Sequence, residues 1–319
     1  MINPAIQFTQ ALKSIARNEQ IKSHIQQSTE LYPLLLKAAQ RFVTGENRKD
    51  GIVIAKELIS NGYSISLEYI GENTTNLEEC QQAKKEFLNL IEEIGAMSMQ
   101  QTVSLDLSHI GLSVNPDTAY IHLLEIAKKA QAYDITVMIS MEESSKTNDI
   151  LTIYKKTTEQ YPNVGITIQA HLFRSNDDIQ KLIHYPGKIR LVKGAYQEPS
   201  DIAMARSTDL NDRYLQFVEQ LLEANHPVSI ATHDETLIQE MEYRQYFKHP
   251  QVEIEMLYGI RPDLLRDLKN TGYNSKVYLT YGTEWYLYLC HRIAEYPENL
   301  YLAVTDIIHP SSTDTSRLY

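Results

Sequence analysis

Two patterns of apolar residues alternate along the chain after Gly62. Short runs rich in Val, Ile, Leu, Tyr and Thr predict strands that are covered on both faces. The longer segments between them repeat apolar residues at helical spacing, for example 78–96, 118–131, 148–160 and 209–224. The predicted strands are 64–70, 102–108, 135–142, 164–171, 189–196, 228–234, 252–259 and 276–282. Parallel strands need helical crossovers, so eight such repeats predict a (β/α)8 barrel, with an open doubly wound sheet as the alternative.

The two ends of the chain do not show this alternation of strand and helix patterns. Apolar residues between positions 25 and 43 recur at helical spacing, and Gly45 supplies a stop signal. The last residues are polar and include Ser-Ser-Thr-Asp-Thr-Ser, which predicts a mobile tail. We therefore predict a helical segment packed on the barrel over residues 1–62, the barrel itself over 63–305 and a polar tail over 306–319.

Composition limits the binding partners and the cellular location that we expect for the protein. The 319 residues include 41 acidic and 30 basic side chains, giving a net charge of −11 that disfavours nucleic acid and anionic lipid as partners. Cys80 and Cys290 lie far apart and have no metal-type spacing. No apolar run has the length of a membrane helix, and the first residues do not resemble a signal peptide, so we predict a cytoplasmic protein.

Polar residues gather where the predicted strands end, which is where barrels of this type place their active sites. The set comprises Glu68, Asp106, Ser140, Glu142, Gln169, His171, Arg190, Lys193, Tyr196, Thr232, His233, Asp234, Glu255, Tyr278 and Tyr281. A metal-dependent hydrolase is one alternative, since His109, His171 and His233 could converge there. The chain has no HxH or HExxH spacing, and nearby basic residues disfavour a cation, so we predict no metal.

Several of these residues stand in recognisable motifs. They are Gln169-Ala170 with Arg174, Arg-Leu-Val-Lys-Gly-Ala-Tyr at 190–196, Ala-Thr-His-Asp at 231–234, Glu-Met-Leu-Tyr-Gly at 255–259 and Tyr-Leu-Tyr-Leu-Cys-His-Arg-Ile-Ala-Glu at 286–295. In this order, from about residue 64 to about 300, the chain resembles the proline dehydrogenase family. Each motif is weak alone, and their common register makes the resemblance specific.

The resemblance implies an oxidoreductase of proline catabolism that binds FAD in the barrel. No two glycines are separated by a single residue, so a GxGxxG fingerprint is absent. The expected reaction oxidises L-proline to pyrroline-5-carboxylate by hydride transfer to flavin N5. Electrons then pass to a membrane quinone or another acceptor, which implies transient association with a membrane.

The same resemblance assigns roles to individual residues. The positions that match the flavin side are Gln169, Arg190, Lys193, Gly194, Ala195, Thr232 and His233. The positions that match the wall around the proline ring are Tyr196, Leu257, Tyr278 and Tyr288. Arg292 matches one of two adjacent arginines that hold the substrate carboxylate. Tyr288 and Arg292 are four residues apart and are expected to share a helix face.

Three substrate-side positions depart from the family pattern. Asp106 stands where the family has lysine, Ser140 where it has aspartate, and His291 where it has the first arginine of the pair. Losing the lysine and one arginine is expected to weaken proline binding by about 3–5 kcal/mol. The alternative is therefore a divergent flavoenzyme that oxidises another small cyclic amine or amino-acid derivative. A non-catalytic flavin-binding barrel is a third reading.

Overall fold

The computed structural model describes residues 4–16, 18–97, 101–296, 298–308 and 315–319. In these residues eight parallel strands close into a barrel in chain order, because each pairs with the next and the last pairs with the first. The strands are β1 Ser64–Tyr69, β2 Thr102–Leu105, β3 Thr136–Ile139, β4 Val164–Gln169, β5 Ile189–Val192, β6 Val228–Ala231, β7 Val252–Leu257 and β8 Ser275–Tyr281. The predicted (β/α)8 fold is confirmed.

Helices precede the barrel, connect its strands and follow it. They are α1 Pro4–Ala16, α2 Glu19–Gln27, α3 Leu31–Ala39, α4 Arg48–Ser60, α5 Leu77–Gly95, α6 Pro116–Gln131, α7 Thr147–Thr158, α8 Ser175–Leu182, α9 Thr208–Glu223, α10 Glu235–Tyr243, α11 Pro262–Asn270, α12 Trp285–Glu295 and α13 Asn299–Ile308. Side-chain caps fix several starts: Asn76 begins α5, Ser207 begins α9, and Asn115 with Pro116 begins α6. Among the described residues, no helix combines the length and apolar character that crossing a bilayer requires.

The predicted boundaries were wrong in two ways. Most strands end earlier than predicted: β5 stops at Val192 and β2 at Leu105, because the polar ends of these runs form the strand-to-helix loops. The predicted helical segment between 25 and 43 is broken after Gln27. There Ser28 adopts an extended conformation and its hydroxyl accepts a hydrogen bond from the Leu31 amide, so a new helix begins.

Alternation along the strands puts polar residues inside the barrel. On β7, Glu253, Glu255 and Leu257 share one face, because successive side chains point to opposite sides. Near the amino-terminal ends of the strands, Lys276 donates to Glu253 over 2.7 Å, and Lys188 lies 3.0 Å from the same carboxylate. Although burial acts to raise it, these two cations hold the pKa of Glu253 at about 2. The lower layer of the barrel thus holds one carboxylate between two lysines.

The end of the chain packs against the barrel. Tyr319 is 8% exposed, stacks on Tyr258 and accepts a hydrogen bond from the Gly259 amide over 2.9 Å. Arg266 also donates to the Leu318 carbonyl over 2.8 Å. The prediction of a mobile polar tail is therefore wrong for these residues, because a terminal tyrosine supplies both apolar area and an acceptor for a buried amide. Residues 309–314 of the predicted tail lie outside the described residues.

Changing Tyr319 to phenylalanine is expected to lower the free energy of unfolding by about 1 kcal/mol, because the Gly259 amide loses its acceptor. Urea denaturation of the holoprotein measures this change. Tyr301→Phe is the matched control, since Tyr301 is 73% exposed and should leave stability unchanged. Equal effects of the two substitutions would contradict the proposed contact.

Candidate active site

Side chains from β1, β8 and β5 meet beneath the carboxyl-terminal mouth of the barrel. The Tyr278 hydroxyl donates to the Glu68 carboxylate, and both residues are buried. The guanidinium carbon of Arg190 lies 4.9 Å from the centre of the Tyr278 ring. Burial and the charge of Glu68 raise the pKa of Tyr278 well above its ordinary value, so its phenol stays protonated. Tyr278 is therefore fixed from both sides by a carboxyl and a cation.

Asp106 follows β2 at the same mouth and is held in an unusual state. Burial, together with the carboxylates of Glu68 and Glu142, raises the pKa of Asp106 well above its ordinary value. Burial also raises the pKa of Glu68. A buried carboxyl among like charges prefers the protonated form. Asp106 therefore removes a cation relative to the family pattern, and its raised pKa reduces the repulsion expected from the sequence.

Arg292 and Tyr288 lie on one face of α12, as their spacing predicts. The Arg292 guanidinium carbon is 4.8 Å from the centre of the Tyr288 ring. Glu295 accepts from Arg292 over 2.9 Å, and the Arg292 Nε–H has no partner among the described residues. Although burial acts to lower it, Glu295 and Tyr288 raise the pKa of Arg292. The site thus contains a permanent, nearly buried cation with a donor available for a ligand.

The carboxyl ends of β4 and β5 form a cradle with an unsatisfied acceptor. The Gln169 amide nitrogen donates to the Glu142 carbonyl over 2.8 Å, whereas the buried Gln169 oxygen has no partner among the described residues. Beyond β5, Gly194 has a φ of +110°, and a Cβ there would stand 2.6 Å from the His171 ring. Only glycine fits this close approach. The orphaned Gln169 acceptor suits a ligand that carries an N–H group.

The end of β6 supplies a charged pair and a fixed imidazole. Lys193 forms an ion pair with Asp234, whose carboxylate also caps α10. Thr232 is buried, and its hydroxyl accepts from the Asp234 amide over 3.2 Å. His233 accepts from the Leu257 amide over 2.9 Å. Burial and the charge of Arg292 lower the pKa of His233 to about 3, so the imidazole is neutral and holds Leu257 in place.

Arg190 faces the barrel interior, and Glu255 compensates its charge. The Arg190 Nη2 and Nε donate to the two Glu255 oxygens over 2.7 and 3.0 Å. Ser104 accepts from the same guanidinium over 2.8 Å. From the sequence, Glu255 is recognised only as one of the polar residues at the ends of the predicted strands. Its spacing of two from Glu253, on the same inward face, was the signal for a second buried ion pair.

The remaining predicted residues occupy different surroundings. Tyr196 is half-buried, and burial together with Asp106 raises its pKa, which places the two side chains near each other. Ala195 is exposed beyond Gly194, Ser140 directly follows β3, and His291 is half-buried beside Arg292.

One prediction about the mouth of the barrel was wrong. Tyr281 was wrongly grouped with the strand-end residues at the mouth. It points outward and donates to Glu86 on α5 over 2.9 Å. Within the described part of the chain, no His, Cys, Asp or Glu cluster is arranged to hold a metal ion.

Known proteins share both the sequence and the fold of this chain. A family model described as proline dehydrogenase matches residues 53–300. Proline dehydrogenase 1 of Bacillus subtilis is 34% identical over 275 residues, covering 85% of this chain and 90% of the relative. Proline dehydrogenase of Deinococcus radiodurans is 30% identical over 310 residues, covering 94% and 98%.

A solved structure also shares the fold. The crystal structure of proline utilization A from Bdellovibrio bacteriovorus, inactivated by N-propargylglycine, superposes with a TM-score of 0.77 at 18% identity. The match covers 98% of this chain but 38% of that much longer one, so this likeness supports the fold alone.

Proposed function

The chain belongs to the proline dehydrogenase family, and on this premise we propose that its barrel mouth holds FAD against L-proline. The protein is a flavin-dependent dehydrogenase that acts on the CH–NH bond of proline, and it passes the electrons to an acceptor. The relatives give no support for another cyclic amine over proline, despite the departures at Asp106, Ser140 and His291. When bound, FAD supplies hydride acceptance, and the protein supplies binding, orientation and charge.

On the flavin side, the unpartnered Gln169 oxygen is the main support for the proposed FAD site. A buried acceptor without a partner is costly, and a ligand N–H at this place would satisfy it. Gly194 and Ala195 follow Lys193 in the loop beyond β5, where His171 packs against Gly194. Lys193 offers a cation for the cofactor phosphates. Thr232 and His233 complete this wall. Arg190 lies beneath it, inside the barrel.

On the substrate side, we assign carboxylate binding to Arg292. Its unpaired Nε–H and permanent charge suit a carboxylate, and Tyr288 keeps its guanidinium plane in position. Tyr196, Tyr278 and Leu257 form the apolar wall that excludes water from the ring of the substrate. Asp106, whose pKa is raised, lies with Ser140 and His291 on the polar rim of this proposed site.

We also propose that a membrane quinone accepts the electrons. Support comes from the family resemblance, in which the reoxidising step takes place at a membrane. On this proposal the protein approaches the membrane from the cytoplasm and binds it transiently. Co-sedimentation with quinone-containing vesicles in the presence of proline tests this proposal. Enzyme that turns over a soluble quinone but never binds the vesicles would contradict it.

The proposed reaction is tested by following dye reduction while trapping the imine product. L-Proline should drive dye reduction and yield one trapped pyrroline-5-carboxylate for each dye equivalent. D-Proline and pyrrolidine are the matched controls, because the first misplaces the carboxylate and the second lacks it. Turnover of pyrrolidine that equals turnover of proline would contradict the role given to Arg292 and would favour the alternative substrate.

A further inference from the structure

Arg190 and Glu255 form the most deeply buried ion pair at the level of the site. Their side chains are 5% and 2% exposed. Ser229 donates to the same Glu255 carboxylate, so both of its oxygens are engaged. Although burial acts to lower it, the charge of Glu255 raises the pKa of Arg190. The guanidinium is therefore permanently charged, and its position and net field are set by Glu255.

Three other cations around the mouth are also paired with carboxylates. Lys193 pairs with Asp234, Arg292 with Glu295, and Lys146 with Glu142. Around Arg190 the local dielectric is low, so an uncompensated charge would act strongly on a neighbouring ring. Pairing with Glu255 turns the charge into a dipole, whose field falls off faster with distance. The charge of Arg190 is thus compensated locally by Glu255.

We infer that Glu255 is a positioning residue that holds Arg190 beside Tyr278 and, by cancelling its charge, keeps the reduction potential of the bound flavin low. The inference rests on the proposed placement of the flavin above Arg190. Two-electron reduction of a flavin leaves the ring anionic near neutral pH, so an unpaired cation below it would favour the reduced form. Glu255 opposes that effect and makes the reduced flavin a stronger donor to its acceptor.

Glu255→Gln keeps the shape of the side chain and removes its charge. Dye equilibration of the purified holoprotein should show at least a tenfold shift toward reduced flavin, which is about 30 mV for a two-electron couple. Glu255→Asp retains the charge and should keep the potential of the unchanged protein. A Glu255→Gln flavin with an unshifted potential would overturn the inference.

Glu253→Gln is the matched control, because Glu253 is the inward carboxylate on the same strand, two residues further from the mouth. Its loss should lower stability without moving the potential. If Glu255→Gln fails to fold, the Arg190→Gln/Glu255→Gln double variant tests the inference instead. Removing both charges leaves no buried ion unpaired, so this variant is expected to fold. The double variant should retain the reduction potential of the unchanged protein. A tenfold or larger change in the ratio of reduced to oxidised flavin would overturn the inference.

These results separate the inference from the function. If the unchanged protein binds no FAD, or proline never reduces its flavin, the proposed function fails. If proline reduces the flavin and Glu255→Gln leaves the potential unchanged, the function stands and only the role of Glu255 is lost.

Discussion

Replacing Arg292 by alanine is expected to abolish reduction of the flavin by proline while FAD remains bound. Arg292 is the cation at the substrate side, and its Nε–H has no partner within the described residues. Each charge-assisted hydrogen bond contributes about 1.5–3 kcal/mol, so loss of a bidentate contact weakens proline binding by about 3–5 kcal/mol. That free energy corresponds to an increase in Kd of a few hundredfold or more.

Stopped-flow mixing of the variant holoprotein with L-proline measures this effect as the loss of saturable flavin reduction. Arg244→Ala is the matched control: Arg244 pairs with Glu219 and Glu240 on the outside of the barrel, so its removal should change neither rate nor affinity. Arg292→Lys should recover only part of the affinity, because an ammonium cannot form the planar double contact. Unchanged reduction by the alanine variant would show that the substrate is misplaced.

Replacing Lys193 by methionine is expected to weaken FAD binding by about 2–3 kcal/mol, because a charge-assisted contact to an anionic group is lost. The expected increase in Kd is therefore about 30- to 150-fold. Asp234 keeps its hydrogen bonds to the amides at the start of α10, so the fold should survive the change. Titration of apoprotein with FAD, followed by flavin fluorescence, measures the affinity.

Lys84→Met serves as the control for Lys193→Met. Lys84 forms its ion pair with Glu125 across two outer helices, away from the barrel mouth. This variant should bind FAD as the unchanged protein does. If the Lys193 variant also binds FAD normally, the phosphates lie elsewhere and the proposed flavin side is wrong.

Much of the fold was predictable because the physical signals repeat. Parallel barrel strands are buried on both faces, so several strands are nearly continuous apolar runs, and the crossovers show helical patterns. Boundaries were less predictable: the end of β5 depends on Gly194 turning the chain, and the break after Gln27 depends on a local cap. The docking of Tyr319 depends on contacts that are distant in sequence. The division at residues 62 and 305 stays a prediction.

The location of the candidate site was predictable from the sequence, but the contacts between its side chains were not. Strand-end polar residues and motifs indicated the mouth, and helical spacing indicated the contact between Tyr288 and Arg292. The ion pairs between side chains could not be predicted from the sequence, because they depend on which inward-facing side chains meet across the barrel. The Arg190–Glu255 pair and the raised pKa of Asp106 both arise in this way. The roles assigned to individual residues stay proposals.

Oxidation of proline by the bound flavin is measured by anaerobic titration of the purified protein with L-proline, followed by the visible absorbance of the flavin. We expect a yellow protein that bleaches as proline is added, saturates, and regains its colour when an acceptor is supplied. A protein that carries FAD and stays oxidised at saturating proline would contradict it. That result would place the divergence of function at Asp106, Ser140 and His291.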